Sequence, residues 1–328
     1  MSLSVVIPVF NEAQTLPRLY QRLQQALSQV SVPYEILFVN DGSTDATLQI
    51  LKAWSAENPR VKYIDFSRNF GHQVAIAAGL HFCKGERVVV MDADLQDPPE
   101  LIRDMYAKMQ EGWDVVYGKR NERSGDGWWK RWSAKMFYRL FSRLASVRIP
   151  EEAGDFRMMS RKVVNALNHM PEHHKFVRGM VSWVGFRQTF IAYDHDARVA
   201  GRSGYSLGAM FRFALDGITA FSNLPLKLAT WMGFLFSGVS FVLILWSIYA
   251  KFVSQTYVQG WASIIISILF IGGIQLICLG LIGEYLIRMD ANVRQRPLYI
   301  INEMNCEPPI AVKSNFSTSG NVPTDTIL

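Results

Sequence analysis

The sequence predicts an α/β fold with a mainly parallel, Rossmann-like sheet, followed by amphipathic helices and a two-helix transmembrane hairpin. Three observations predict it. Over residues 1–120, short β-rich runs alternate with helical patterns, as expected of parallel strands covered by helices on both faces. Polar motifs recur just after those runs. Two uncharged stretches, 228–250 and 252–283, follow near the other end of the chain.

The expected strands are 4–10, 35–40, 61–66, 87–91 and 114–118, and the expected helices 15–29, 46–56, 73–83 and 99–110. In such sheets ligands bind outside the carboxyl ends of the strands. Asn11-Glu12, Asn40-Asp41-Gly42-Ser43 and Asp92-Ala93-Asp94-Leu95-Gln96 all fall there. The last is the most informative. An apolar run ends in two carboxylates one residue apart and then an amide, a donor set that suits Mg²⁺ or Mn²⁺. The same residues also read as an acidic turn capping the helix near Pro98. Asp41 reads as a ligand residue of the rim. Gly42 and Ser43 read equally as ligand residues, a turn or a helix cap. No Gly-x-Gly-x-x-Gly follows the first strand and no Gly-Lys-Ser/Thr occurs, which disfavours dinucleotide oxidoreductases and P-loop enzymes.

Hydrophobic residues make up 49% of the 328-residue chain, and the excess is concentrated near the C-terminal end. About 20 apolar residues cross a bilayer core as a helix, so 228–249 and 261–282 read as spans. Trp231, Trp246, Tyr249, Tyr257 and Trp261 lie toward their ends, where aromatic belts form. Two buried helices of a large soluble domain are the competing reading. The linker carries only Lys251, whereas Lys227, Arg288, Arg294 and Arg296 flank the hairpin. The positive-inside rule then places the N-terminal domain and the C-terminus in the cytoplasm, making a multi-pass protein of the cytoplasmic membrane. The first residues read as a strand rather than a signal peptide.

Residues 128–145 carry Arg131, Lys135, Arg139 and Arg143 on one helical stripe, opposite Met136, Phe137, Leu140, Phe141 and Leu144. This is the pattern of a helix lying in the membrane interface, or of a surface helix with a solvated basic face. A second amphipathic segment, 206–226, leads into the first span. The expected organisation is therefore 1–205 cytosolic domain, 206–226 juxtamembrane helix, 227–287 transmembrane hairpin and 288–328 cytosolic tail, polar and disordered from Asn305. With those spans, the net charge of +6 points to an anionic membrane surface rather than nucleic acid. Cys83, Cys278 and Cys306 form no disulfide or zinc pattern. His173-His174 reads as a loop pair rather than a metal site.

Val6-Ile7-Pro8-Val9-Phe10-Asn11-Glu12, Val39-Asn40-Asp41-Gly42-Ser43-Thr44-Asp45 and Asp92-Ala93-Asp94-Leu95-Gln96-Asp97-Pro98 resemble the signature of the GT-A-fold family 2 glycosyltransferases. Ser67-Arg68-Asn69-Phe70-Gly71, Phe176-Val177-Arg178-Gly179 and Arg198-x-x-Gly201-x-Ser203-Gly204-Tyr205 are narrower. They resemble the polyprenyl-phosphate glycosyltransferases, namely the bactoprenol glucosyltransferases and dolichol-phosphate mannose synthases. Gly283-Glu284-Tyr285 and Arg296-Pro297-Leu298-Tyr299 are similar to the bactoprenol branch. Gly204 departs from the pattern, since many relatives carry Lys there. The resemblance implies a GT-A domain and single-displacement, inverting transfer of a hexose to polyprenyl phosphate at the cytoplasmic membrane face.

By that resemblance Pro8, Asn11, Glu12, Asp41 and Asp92 bind the nucleotide. Asp92, Asp94 and Gln96 hold Mg²⁺ or Mn²⁺. Arg120, Arg131, Arg198 and Ser203 receive the acceptor phosphate, and Asp94, Asp155 and Arg198 stand at the reaction centre. Asp155 also reads as a solvated loop carboxylate. The acceptor's second pKa is near 6, so it is already a dianionic nucleophile and needs little help from a base. The expected donor is UDP-glucose, with GDP-mannose or another sugar nucleotide as the alternative. A processive polysaccharide synthase fits less well, because Trp129-Lys130-Arg131-Trp132 lacks that group's Gln. An inactive membrane-anchored binding protein sits poorly with the intact Asp92/Asp94/Gln96 set. Two spans offer no translocation path, so a separate flippase is expected downstream. Gly272-Gly273 and Gly280 permit the close helix packing that a homo-oligomer through the membrane helices would use.

Overall fold

The computed structural model describes residues 2–120, 153–172, 175–193, 261–294 and 296–307, with scattered residues between 231 and 249. Its centre is an eight-stranded mixed sheet, ordered β7-β5-β6-β4-β1-β2-β3-β8. The strands are β1 (Leu3–Val9), β2 (Tyr34–Asn40), β3 (Val61–Phe66), β4 (Arg87–Val90), β5 (Val115–Arg120), β6 (Ala153–Ser160), β7 (Gln188–Tyr193) and β8 (Ile301–Met304). The helices are α1 (Leu16–Ser28), α2 (Thr47–Glu57), α3 (His72–Phe82), α4 (Leu101–Gln110), α5 (Arg161–Asn168), α6 (Val177–Trp183) and α7 (Trp261–Arg294).

The four strands β3-β2-β1-β4 are parallel, as the βα alternation predicts. The expectation of a mainly parallel sheet gives way at the flanks. β6 runs antiparallel between β4 and β5, and β8 runs antiparallel to β3. The central strands are buried on both sides, so they read as continuous apolar runs. Their residues nevertheless alternate between two cores. Leu3, Val5, Ile7, Ile36, Phe38 and Val89 pack with the buried residues of α1 and α4. Val6, Leu37, Val39, Val88 and Val90 pack with those of α3, α5 and α6. The period of two along a strand divides each run between the two faces.

The crossover from β1 to β2 on one side, with β4 on the other, makes β1/β4 the topological switch point, the place where sheets of this kind take ligands at their carboxyl ends. Pro8 is buried in central β1, a place where proline would normally remove a ladder bond. The β1–β4 register ends at Val6↔Val90, so on that side Pro8 has no ladder bond to lose.

Among the described residues one helix is long and apolar enough to cross a membrane: α7, with Phe270–Ile287 as its apolar window. It contains the second expected span but runs 34 residues, about 50 Å, well beyond the ~30 Å hydrocarbon core. No proline intervenes before Pro297, and the helix continues past 282 into its polar end. The first expected span lies largely outside the described residues. Its described members between 231 and 249 are helical and exposed, and a two-helix hairpin is not established by them. The segment 128–145 and residues 206–226 also lie outside the described residues.

The stretch after α7 departs from the expected tail. Ile301–Met304 completes the sheet as edge strand β8. Tyr63 N–H donates to Asn305 Oδ1 at 2.6 Å, Ser67 N–H donates to Ile300 O at 3.0 Å, and Cys306 is buried. Asn305 and Cys306 therefore belong to the packed edge. Residues 308–328 are outside the described residues.

Candidate active site

Three loops meet at the carboxyl rim of β1, β2 and β3, and hydrogen bonds fix them to one another. Asn11 has φ +55°, a left-handed conformation that Asn tolerates better than most residues. Its N–H donates to Ser43 Oγ at 2.9 Å, and its Oδ1 accepts from Thr44 N–H at 2.8 Å. Glu12 N–H donates to Thr47 Oγ1 at 3.0 Å, and Glu12 Oε2 accepts from Thr15 Oγ1 at 2.5 Å. Asp41 is 3% exposed. Its two oxygens accept from Phe70 N–H at 2.7 Å and Gly71 N–H at 2.9 Å, tying the β2 end to the β3–α3 loop. Burial raises its pKa, against those two hydrogen bonds.

Gly42 has a packing reason to be glycine. It has φ +69°, and a Cβ there would lie 2.4 Å from Arg68 C and 2.6 Å from Asn69 N. Glycine is required by backbone packed on backbone.

At the end of β4 the chain turns through Leu95, with φ +64°. This costs a bulky residue on the order of 1–3 kcal/mol. Leu95 is 2% exposed and packs in the core, and burying a leucine side chain is worth about 2 kcal/mol. Burial of the middle residue thus offsets the turn that presents Asp94 and Gln96. Gln96 N–H donates to Asp94 Oδ1 at 3.1 Å, closing the turn. Asp97, fully buried, accepts from the Tyr193 hydroxyl at 2.6 Å and holds the loop to β7.

The densest cluster of charge forms where α3, β4 and β6 meet. His72 Nε2 lies 3.3 Å from both Asp92 Oδ1 and Asp155 Oδ2. Arg178, from α6, donates through Nε to Asp155 Oδ1 at 2.8 Å and through Nη2 to Oδ2 at 2.9 Å. Gln73 Nε2 donates to Asp155 Oδ2 at 3.2 Å and Gln73 Oε1 accepts from Val177 N–H at 3.1 Å. Beneath them Arg157 is 4% exposed and donates to Gly154 O at 2.7 Å. Burial draws its pKa down to about 10.

Burial opposes the charge on His72, yet its contacts with Asp155 and Asp92 outweigh it and lift its pKa to about 10. Burial likewise opposes ionisation of Asp155, but His72 and Arg178 hold its carboxyl far below the usual range. His72 is therefore an imidazolium and Asp155 a carboxylate at neutral pH. An anion so held makes a poor proton acceptor.

The ligand atoms of His72, Asp92 and Asp155 lie within 4.8 Å of one another. Asp92 Oδ1 is buried and has no well-aligned hydrogen-bond partner among the described residues. Two carboxylates this close suit a divalent cation, which would draw on Asp92 and Asp155, since a protonated His72 has no lone pair to give. Of the expected ligand set Asp92 joins this cluster, whereas Asp94 and Gln96 sit in the adjoining turn. Arg120 lies at the end of β5, and its side chain is outside the description. Arg131, Arg198, Ser203 and the His173-His174 pair also lie outside the described residues.

His72, Arg157 and Arg178 carry no role in the sequence reading. Arg178 stands inside a quoted motif, beside Gly179, and Arg157 lies two residues from Asp155; that adjacency was the available signal. A single histidine at a helix start carries none.

A doubly wound half-sheet with acid groups at its switch point defines an α/β enzyme that takes its ligands at the strand ends. The chain belongs to glycosyl transferase family 2, whose family model matches residues 4–167. It is 48% identical over 300 residues to an uncharacterized glycosyltransferase of Bacillus subtilis, YkcC, covering 92% of this chain and 93% of that one. A bactoprenol glucosyl transferase of Shigella phage SfII is 41% identical over 303 residues, 92% of this chain and 98% of its own. A prophage bactoprenol glucosyl transferase homolog of Escherichia coli is 40% identical over 304 residues, 93% and 99% respectively.

Proposed function

We propose that this protein transfers glucose from UDP-glucose to a polyprenyl phosphate at the cytoplasmic face of a membrane, with inversion at the sugar carbon. The observation that carries this reading is the match, over nine-tenths of the chain, to proteins named for glucosyl transfer to bactoprenol. The charge cluster at the rim supports it, because two carboxylates and three cations gather at the strand ends, a composition suited to phosphate-bearing ligands.

In this reading Pro8, Asn11, Glu12 and Asp41 shape the nucleoside side of the crevice. Asp92, with Asp94 and Gln96 beside it, holds Mg²⁺ or Mn²⁺. Such an ion stabilises charge developing on the departing diphosphate without proton transfer. Asp155 orients rather than abstracts a proton, and Arg178 and His72 keep it ionised and in place. The acceptor phosphate is a nucleophile by its own charge. Arg120, Arg131, Arg198 and Ser203 neutralise and aim it, which contributes through positioning. The apolar α7, together with a first span at 228–249, anchors the domain so that the site meets the lipid phosphate at head-group height.

Incubating the membrane-embedded protein with labelled UDP-glucose, GDP-mannose and other sugar nucleotides, plus polyprenyl phosphate, tests this directly. A labelled polyprenyl-phosphate glucose is the expected product. A water-soluble glycan would overturn the lipid acceptor, and labelling from GDP-mannose alone would overturn the donor.

A further inference from the structure

Asn302, on β8, connects to the rim of β1 and β2 through an unbroken series of side chains. Its Nδ2 donates to Asp65 Oδ2 at 2.9 Å. The other oxygen of Asp65 accepts from Asn40 Nδ2 at 2.6 Å. Asn40 Oδ1 accepts from the Ser43 hydroxyl, and Ser43 Oγ accepts from Asn11 N–H at 2.9 Å. Asp65 and Asn40 are 4% and 1% exposed. These two middle members depend on their neighbours, because a buried polar group left without its partner is costly, whereas Asn302 and Asn11 at the ends are exposed. The far end of the relay is a residue in a left-handed conformation, φ +55°, which needs its surroundings to hold it there.

β8 itself is firmly seated. Tyr299 stacks on Phe66 at 5.0 Å between ring centroids, and Lys52 pairs with Glu303. The strand begins seven residues after the end of α7 at Arg294, so at most about 25 Å of chain separates the apolar helix from the sheet.

We propose that Asn302 is a positioning residue of the donor site. By holding Asp65, the strand that follows α7 keeps the Asn40–Ser43–Asn11 turn in the shape that receives a nucleoside diphosphate sugar. This rests on reading the β1–β2 rim as the place where the donor binds.

The test uses the full chain in detergent or nanodiscs, with UDP-glucose as the probe. Asn302→Asp sets a second carboxylate against Asp65. It is expected to raise the donor Kd and KM roughly fivefold or more, while the KM for polyprenyl phosphate stays unchanged. Asn302→Asp combined with Asp65→Asn restores donor–acceptor complementarity, since the amide introduced on β3 can accept from Asn40 and donate to the carboxylate introduced on β8. That double variant is expected to bind the donor as the native protein does. A native donor Kd in Asn302→Asp would overturn the relay, as would a folded double variant that fails to recover. Asn11→Ala serves as the reference. If it weakens donor binding and Asn302→Asp does not, the relay alone fails. If neither has an effect, the rim reading falls and the role of Asn302 falls with it.

Discussion

Arg178 grips Asp155 through both carboxylate oxygens, at 2.8 and 2.9 Å, and so a residue of α6 fixes a carboxylate of β6 beneath the switch point. The pair is almost closed to water on the Asp155 side, at 4% side-chain exposure, and more open at Arg178, at 30%. A fork-shaped guanidinium meets a carboxylate bidentately, which a lysine cannot do.

Arg178→Lys is therefore expected to be a disabling change despite conserving charge. Turnover should fall at least tenfold, and exchanging a bidentate pair for a single contact should cost about 1 kcal/mol of stability. Steady-state kinetics beside a thermal unfolding scan would check both. Native turnover would show that the orientation of Asp155 is immaterial.

Asp92→Asn replaces the carboxylate that faces His72 with a neutral amide group. Transfer should drop by about two orders of magnitude or more, while the fold, which loses one partly exposed ion pair, is destabilised by no more than about 1 kcal/mol. EDTA should abolish native activity, and added Mg²⁺ or Mn²⁺ should restore it. Activity that survives EDTA would exclude an essential exchangeable cation.

Gly42→Ala forces a Cβ to within 2.4 Å of the Arg68 backbone. No flexible side chain can yield there, and the left-handed φ adds strain. A loss of about 2–4 kcal/mol is expected in chemical denaturation, together with weaker donor binding as the Asp41-held loop moves. A stability change within about 0.5 kcal/mol, the usual range for neutral surface changes, would contradict the close approach.

Glu35 sits at the opposite rim. Burial opposes its charge, but Lys62 at 2.6 Å, the Ser4 hydroxyl at 2.6 Å and Lys84 N–H at 2.6 Å outweigh it and lower its pKa below 4.5. A carboxylate whose folded pKa is depressed contributes stability above its unfolded pKa, and loses it as pH falls through the folded value. Glu35→Gln should thus be less stable than native by about 1–3 kcal/mol near pH 7. The difference should begin to shrink as pH falls below 4.5 and vanish only once the lowered folded value has been passed. Urea midpoints across pH would show it, and a gap that persists in acid would count against the ionic origin.

Much of the N-terminal half was legible. The first three strands fall within a residue of the expected positions, because buried parallel strands leave contiguous apolar runs bounded by turn residues. β6, β7 and β8 were not legible. β6 carries Asp155 and Arg157 inside a buried strand, so its apolar run is broken by the site it serves. β8 is four residues of mixed polarity on a sheet edge, too short to have a period. The expected polar tail was misplaced by a few residues for the same reason. Asn302, Asn305 and Cys306 look like loop composition until β3 is beside them.

The α/β alternation, the acidic rim at the strand ends, the apolar helix and the family were readable along the chain alone. All of these are written in local composition, spacing and motif order. Only the tertiary structure decided that His72 lies between Asp92 and Asp155, that Arg178 locks Asp155 as an anion, and that the chain after α7 returns to brace the rim. Each depends on residues brought together from across the chain, up to 237 positions apart for Asn302 and Asp65. The charge state of a buried group is set by such neighbours and by the water they exclude, and neither is a property of its own stretch of sequence.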